Sequence, residues 1–155
     1  MLAAALHAVL CRNRRRRIVA CRRLPLNDLI PTRPGRWGER FVFEHLRLSL
    51  PAARVEWINA DTETGLPYDL TISSVGAERV FVEVKTSSAR SKPFFEVSLA
   101  ELDCARQNGG NYVIYRVTGA GSEHVRLACL PNPVGCLTVG GFTLQLSEVG
   151  TQAVR

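Results

Sequence analysis

The sequence predicts a mixed α/β domain in which helices pack against one β-sheet. Its apolar patterns follow the order helix, three strands, helix, two strands, which is typical of that class. The length of 155 residues suits one domain with a substantial core. A hydrophobic fraction of 46% and a charged fraction of 22% are ordinary for a globular protein.

Two helices are predicted. Over residues 36–50 the apolar side chains recur at helical spacing, and Pro51 ends the pattern. The second helix is expected to start after Ser98, because Ser98 and Glu101 have the spacing of a capping box, and to end at a Gly-Gly pair. A linker rich in proline precedes the first helix, so the domain is expected to begin at Gly35.

Five strands are predicted from alternation and from runs of β-branched and aromatic residues. They lie at residues 54–58, 68–73, 80–85, 111–117 and 124–130. The second and third strands form a hairpin whose turn is centred on Gly76. With the turn at this position, three apolar cross-strand pairs lie on one face, namely Tyr68 with Val84, Leu70 with Val82, and Ile72 with Val80.

The same register places Asp69 directly opposite Glu83 on the other face of the hairpin. Opposed carboxylates have Cβ atoms about 5 Å apart and repel each other. Lys85 projects from the same face, since strand side chains repeat every second residue. Such a pair indicates a cation between the acids, and hard oxygen ligands suit Mg²⁺ or Mn²⁺. The alternative is an exposed strand on which Lys85 alone neutralises the acids.

A third acid, Glu39, lies on the first helix in line with its buried stripe. An acid at the head of an apolar face is costly without a partner, so Glu39 is expected to converge on the same cation. The alternative is a favourable interaction of a helix-start acid with the helix dipole.

Three polar residues, Ser87, Arg90 and Lys92, follow the third strand. Hydroxyl groups and cations commonly contact phosphates, so these residues are candidate contacts for nucleic acid. The equally weighted alternative is a solvated loop.

Most of the positive charge lies at the N-terminus. The net charge is +6, whereas the residues before Pro34 carry eight Arg and one Asp and sum to +7, which leaves −1 for the remainder. Residues 1–34 are therefore predicted to be a disordered, Arg-rich arm, with a mitochondrial presequence or an electrostatic tether for nucleic acid as alternatives. Residues 134–155 are expected to form a C-terminal extension, with a hairpin packing on the domain.

The five cysteines show neither a Cys-x-x-Cys motif nor zinc-ligand spacing. We therefore expect reduced thiols and a cytoplasmic location. The apolar start, Met1 to Leu10, is too short to span a membrane, so no membrane partner is expected.

Four motifs occur along the chain in the order Gly35-Arg-Trp-Gly-Glu39, Pro67-Tyr-Asp69, Glu83-Val-Lys85-Thr-Ser and Phe95-Glu-Val-Ser98-Leu-Ala-Glu101. Together they resemble the NO VEIN C-terminal domain family, an uncharacterised domain related to the PD-(D/E)XK nuclease superfamily. The resemblance covers about residues 35–133. One departure from the superfamily pattern is that Tyr68 separates Pro67 from Asp69.

The resemblance implies a restriction-endonuclease-like mixed β-sheet flanked by helices. It implies that Asp69 and Glu83 bind the metal with help from the backbone carbonyl of Val84. Lys85 would orient or deprotonate the attacking water, and Glu39 would support the site. The expected reaction is Mg²⁺- or Mn²⁺-dependent hydrolysis of phosphodiester bonds in DNA or RNA. Because domains of this family usually end larger proteins with ATPase or helicase parts, the alternative is a catalytically silent module. Such a module would bind nucleic acid or a partner ATPase or helicase.

Overall fold

A computed structural model describes residues 19–20, 34–141 and 143–144. Its strands are β1 (Val19–Ala20), β2 (Arg54–Trp57), β3 (Leu70–Ser73), β4 (Val80–Ser87), β5 (Tyr112–Thr118) and β6 (Arg126–Pro131). They form one mixed sheet in the order β1-β6-β5-β4-β3-β2. Strands β4 and β5 run parallel, and every other neighbouring pair runs antiparallel. The predicted mixed α/β class and the predicted order of these elements are confirmed.

The helices are α1 (Pro34–Ser49), α2 (Leu99–Asn108) and the short α3 (Pro133–Thr138). A 3₁₀ turn at Gly109–Asn111 joins α2 to β5. The predicted capping box opens α2, because Ser98 accepts from the backbone of Glu101 while the Glu101 side chain accepts from the backbone of Ser98. Two parallel neighbours need a crossover connection, and α2 lies on the one that joins β4 to β5.

The predicted hairpin register is confirmed within β3 and β4, where Leu70 pairs with Val82 and Ile72 with Val80. The expectation that Tyr68 extends the same apolar face is wrong. Tyr68 packs against Phe81 on the opposite face, with ring centroids 4.8 Å apart. The regular ladder ends at Asp69, whose backbone N–H donates to the carbonyl of Val82, so the strict alternation does not continue to residue 68.

The sheet has two unlike faces. The face toward α1 carries a continuous apolar core, in which Leu70, Val82 and Val117 are fully buried against the helix stripe that includes Val42 and Leu46. The opposite face, toward α2, carries a smaller cluster built on Ala105, Tyr112 and Ile114. Successive side chains of β4 alternate between these faces, so a single strand contributes to both the core and the polar cluster described below.

The ends of the predicted domain differ in what the structure describes. Two residues of the predicted arm, Val19–Ala20, pair antiparallel with β6, and its last residue, Pro34, begins α1; the rest of the arm lies outside the described residues. After β6 the chain forms α3, with Asn132 as its N-cap, where a hairpin was expected to begin. Most of that expected hairpin lies outside the described residues. The apolar run Phe94 to Val97 forms neither helix nor strand.

Candidate functional site

A buried ion-pair network lies on the α2 face of β4. The ammonium group of Lys85 is 2.9 Å from Oε1 of Glu83 on its own strand and 2.7 Å from Oε2 of Glu101 on α2. Glu83 is 7% exposed, which is rare for a carboxylate without a partner. The network therefore joins the sheet to the first turn of α2.

Asp69 lies immediately before β3, and both of its carboxylate oxygens accept hydrogen bonds from neighbouring segments of the same chain. Its Oδ2 accepts from the backbone N–H of Val84 at 2.8 Å, and its Oδ1 accepts from Nδ2 of Asn59 at 3.0 Å. The carboxylate thus takes the place of a backbone acceptor beside β4. Each carboxylate oxygen has two lone pairs, so both oxygens of Asp69 keep capacity for a further ligand.

Asn59 is held in turn by the loop that follows β2. Its Oδ1 accepts from both the backbone N–H and the hydroxyl of Thr64. Its backbone carbonyl and that of Ala60 accept from the guanidinium of Arg36 on α1. Asn59 is 1% exposed. The loop holds the Asn59 side chain in place, and Asn59 in turn fixes the orientation of Asp69.

Glu39 projects from α1 toward the same acids. Its Oε2 accepts from Nε1 of Trp57 at 2.9 Å. Burial raises the pKa of Glu39; the Trp57 hydrogen bond partly offsets this, and Glu63 adds to it. Its charge is also the strongest charge effect on Asp69, so the structure brings Glu39, Asp69 and Glu83 into one electrostatic cluster.

Burial and neighbouring negative charges raise the pKa of both central acids. Burial is the main cause for both; it raises the pKa of Asp69 to about 7, with the Glu39 charge next, and that of Glu83 to about 8, with the Asp69 charge next. Lys85 opposes both shifts without cancelling them. The pair therefore retains protons near neutral pH and is destabilised when both acids ionise.

Lys85 itself is held in its charged form. Burial alone would lower its pKa, but the adjacent Glu83 and Glu101 outweigh burial and raise the pKa above its usual value. Among the described residues, Glu83, Glu101, Asp69 and Glu39 thus form an acidic cluster in which Lys85 pairs with two of the acids and the Arg36 charge acts on Glu39. This excess of acid favours an additional cation.

Within the described ranges, no group of three or more His, Cys, Asp or Glu side chains is arranged to hold a metal ion. A site for Mg²⁺ does not need such a group, because this ion is commonly held by one or two carboxylates and keeps several waters. The paired oxygens of Asp69 and Glu83 fit that requirement better than they fit zinc, which prefers nitrogen and sulfur ligands.

The three predicted phosphate contacts lie in different surroundings. The Ser87 hydroxyl accepts from the backbone N–H of Ala89 and helps to form the turn after β4. Arg90 and Lys92 are exposed, and the Lys92 ammonium lies 5.7 Å from the ring centroid of Phe94. These two cations therefore remain accessible beside the end of β4.

Three residues of the site were not singled out by sequence reasoning, namely Asn59, Glu101 and Arg116. Glu101 was recognised as a helix cap, but its second contact with Lys85 depends on how α2 packs. Arg116 pairs with Lys85 across β4 and β5. Only a register for the parallel strands would have located it, whereas no local signal distinguishes Asn59.

Comparison with known proteins identifies relatives of this domain. Residues 38–130 match the family model described as "Protein NO VEIN, C-terminal". Protein NO VEIN of Arabidopsis thaliana is 35% identical over 111 residues, which cover 71% of this chain and 4% of that protein. Protein NO VEIN-LIKE of Arabidopsis thaliana is 37% identical over 84 residues, covering 54% of this chain and 13% of that protein.

The chain therefore spans only a small part of the length of these relatives. No solved structure matches the chain. In the part of the chain with described coordinates, none of the helices has the length and apolarity needed to cross a membrane.

Proposed function

The chain belongs to the NO VEIN C-terminal domain family, and on that premise we propose that it is a metal-dependent nuclease with a restriction-endonuclease-like PD-(D/E)XK fold. The reaction would be hydrolysis of phosphodiester bonds in DNA or RNA with Mg²⁺ or Mn²⁺. Asp69 and Glu83 would hold the ion. Lys85 would act on the attacking water, and Glu39 would support the site from α1.

One observation carries this proposal: two buried carboxyl groups beside Lys85, Asp69 and Glu83, both have pKa values far above the usual range, and the Asp69 charge adds to the effect of burial on Glu83. A purely structural ion pair would need one acid for one base. Burying a second acid costs free energy that a divalent cation would offset. Perturbed titratable groups that converge in this way are typical of functional sites.

The protein groups have separable roles in the proposed reaction. A bound divalent ion would supply Lewis-acid polarisation of the phosphate. Asn59 and the Val84 amide fix the carboxylate of Asp69 by hydrogen bonds to its two oxygens. Both ion pairs of Lys85 stabilise its ammonium form, so orientation of the attacking water fits better than proton abstraction.

A second candidate is a module of the same fold that binds nucleic acid or a partner ATPase or helicase without cleavage. The observation that favours it is the small share of the relatives, 4% and 13% of their lengths, that this domain spans. A cytoplasmic location is part of either proposal, and the free thiols of Cys104 and Cys136 are consistent with it.

A cleavage assay on labelled single-stranded and duplex DNA and RNA distinguishes the two proposed functions. The nuclease proposal predicts cleavage with Mg²⁺ or Mn²⁺ and none in EDTA. Lys85→Ala should abolish cleavage while metal binding is largely kept, whereas Asp69→Asn and Glu83→Gln should abolish both. Glu123→Gln is the matched control, because Glu123 is an exposed acid in the turn before β6.

Cleavage that survives in both Asp69→Asn and Glu83→Gln would refute the assigned site. Binding of nucleic acid without cleavage under any of these conditions would favour the non-cleaving module instead.

A further inference from the structure

The segment between β4 and α2 lies beside the proposed site and has an irregular but well-anchored backbone. Its start is tied to the residues that follow β5, because the backbone N–H groups of Gly119 and Ala120 donate to the carbonyls of Ala89 and of Ser87, the last residue of β4, at 3.0 and 3.1 Å. Its last residue, Ser98, is fixed by the capping box of α2. We call residues 88–98 the strap.

Arg116 anchors the middle of the strap. Its guanidinium donates to the carbonyl oxygens of Lys92 and Phe94, the latter at 3.2 Å, and lies 4.7 Å from the ring centroid of Phe95. Arg116 is also the register partner of Lys85 on the neighbouring strand. Adjacent strands are about 4.8 Å apart, so the same residue connects the strap with the edge of the proposed active site.

These anchors leave the Phe94 ring in solvent and turn the Phe95 ring toward the small apolar cluster. Phe95 is half-buried against Arg116 and the small apolar cluster, whereas the side chain of Phe94 is 65% exposed. The carbonyl of Phe94 is held by Arg116, so the exposed Phe94 ring is presented from an anchored backbone. A large aromatic ring that is held in solvent in this way is available for a ligand.

The charges around Phe94 identify the class of ligand. The Lys92 ammonium lies beside the Phe94 ring, and the guanidinium of Arg90 is two residues further toward β4. Among the described residues neither cation takes part in an ion pair. An exposed aromatic ring with unpaired cations next to it matches the combination that binds single-stranded nucleic acid, in which bases stack on rings while cations contact phosphates.

We propose that the strap is a docking surface for an unpaired stretch of nucleic acid, with one base stacked on Phe94 and phosphates contacted by Arg90 and Lys92. This inference rests on the proposed nuclease function and narrows its substrate to single strands or to unpaired ends and loops. Bases within a duplex are already stacked on each other, so they are not available to the Phe94 ring. The strand would continue from the strap toward Lys85.

Fluorescence anisotropy of the 155-residue chain with a labelled single-stranded oligonucleotide in EDTA tests this surface without cleavage. Phe94→Ala should weaken binding by roughly 5- to 100-fold, as expected for the loss of one base–aromatic stack. Phe94→Trp should restore it. Val75→Ala is the matched control, because Val75 is an apolar residue 96% exposed in the β3–β4 turn.

The salt dependence of the binding affinity distinguishes the contribution of the two cations from that of the Phe94 ring. Lys92→Ala and Arg90→Ala should each lower the slope of log affinity against log salt by about 0.7, the value for one phosphate contact with a single strand. Phe94→Ala should leave this slope unchanged. The corresponding duplex should bind more weakly and should not respond to Phe94→Ala.

Equal affinity of the wild-type and Phe94→Ala chains for the single strand would overturn the inference. The exposed ring, together with Val97 and Leu99, would then be an apolar surface for a protein partner. Metal-dependent cleavage of duplex with no single-strand binding would overturn the docking surface and keep the nuclease proposal. Phe94-dependent binding of the single strand without any cleavage would keep the docking surface and overturn the nuclease proposal.

Discussion

On the α1 face, β4 contributes Val82 and Val84 to a continuous apolar core, whereas on the α2 face the same strand presents Glu83 and Lys85 to an acidic cluster. The first face stabilises the fold through burial and close packing. The second contains buried charges whose desolvation costs free energy. Neighbouring residues of one strand therefore have opposite effects on stability, which is expected where one face forms the core and the other a functional site.

The largest expected effect is on the core face. Leu70 is fully buried and pairs with Val82, so Leu70→Ala should lower the free energy of unfolding by about 3 kcal/mol through lost burial and a residual cavity. Urea-induced unfolding measures the loss. Leu48→Ala, at an exposed position on α1, is the control and should change stability by less than about 0.5 kcal/mol. Equal effects of the two substitutions would contradict the assignment of the core.

The second effect is the pH dependence that arises from the polar face. Asp69 and Glu83 have folded-state pKa values of about 7 and about 8, well above the ordinary range for carboxyl groups. The folded protein therefore keeps protons that the unfolded chain has already lost. The stability associated with these protons is fully present below about pH 4 and is lost as pH rises through the folded values.

Between about pH 5 and pH 8 the free energy of unfolding should therefore fall progressively in metal-free buffer. Glu83→Gln should flatten the profile, because it removes one titrating group and relieves the repulsion of Asp69. Urea unfolding at several pH values provides the measurement. A wild-type profile parallel to that of Glu83→Gln would show that Glu83 does not titrate in this range.

The third effect tests how closely α1 packs on β4. A Cβ atom added at Gly38 would lie 1.8 Å from Oγ1 of Thr86, whereas one added at Gly35 would meet no atom within 4 Å. Gly38→Ala should therefore cost about 1–3 kcal/mol through overpacking. Gly35→Ala should be neutral or stabilise by up to about 1 kcal/mol through helix propensity. Thermal unfolding distinguishes them, and a neutral Gly38→Ala would indicate that α1 sits further from the sheet.

The sequence was sufficient to predict features that depend on local patterns. The stripe of α1, the capping box at Ser98 and Glu101, and the pairing of Leu70 with Val82 all follow from spacing, because helices and hairpins satisfy their contacts over short separations. The observed register ends at the pair of Leu70 and Val82, so the predicted pairing of Asp69 with Glu83 stays a prediction, with which the charge effect of Asp69 on Glu83 agrees.

The features that the sequence did not predict depend on side chains that replace backbone contacts or on packing between distant segments. Tyr68 lies on the opposite face at the point where the Asp69 carboxylate, rather than a backbone carbonyl, accepts the Val84 amide. Glu101 meets Lys85 because α2 packs against β5, the strand next to β4. Sequence periodicity describes neither kind of contact. The face of Tyr68 and the ion pair of Glu101 with Lys85 were therefore not predicted.

The effect of Mg²⁺ or Mn²⁺ on unfolding tests the central claim most directly. If Asp69 and Glu83 hold the ion, a concentration tenfold above its dissociation constant should raise the free energy of unfolding by about 1.4 kcal/mol. Asp69→Asn and Glu83→Gln should abolish this gain and should be more stable than the wild type without metal. No gain in the wild type with either ion, even with an oligonucleotide present, or an equal gain in all three proteins, would contradict the metal site.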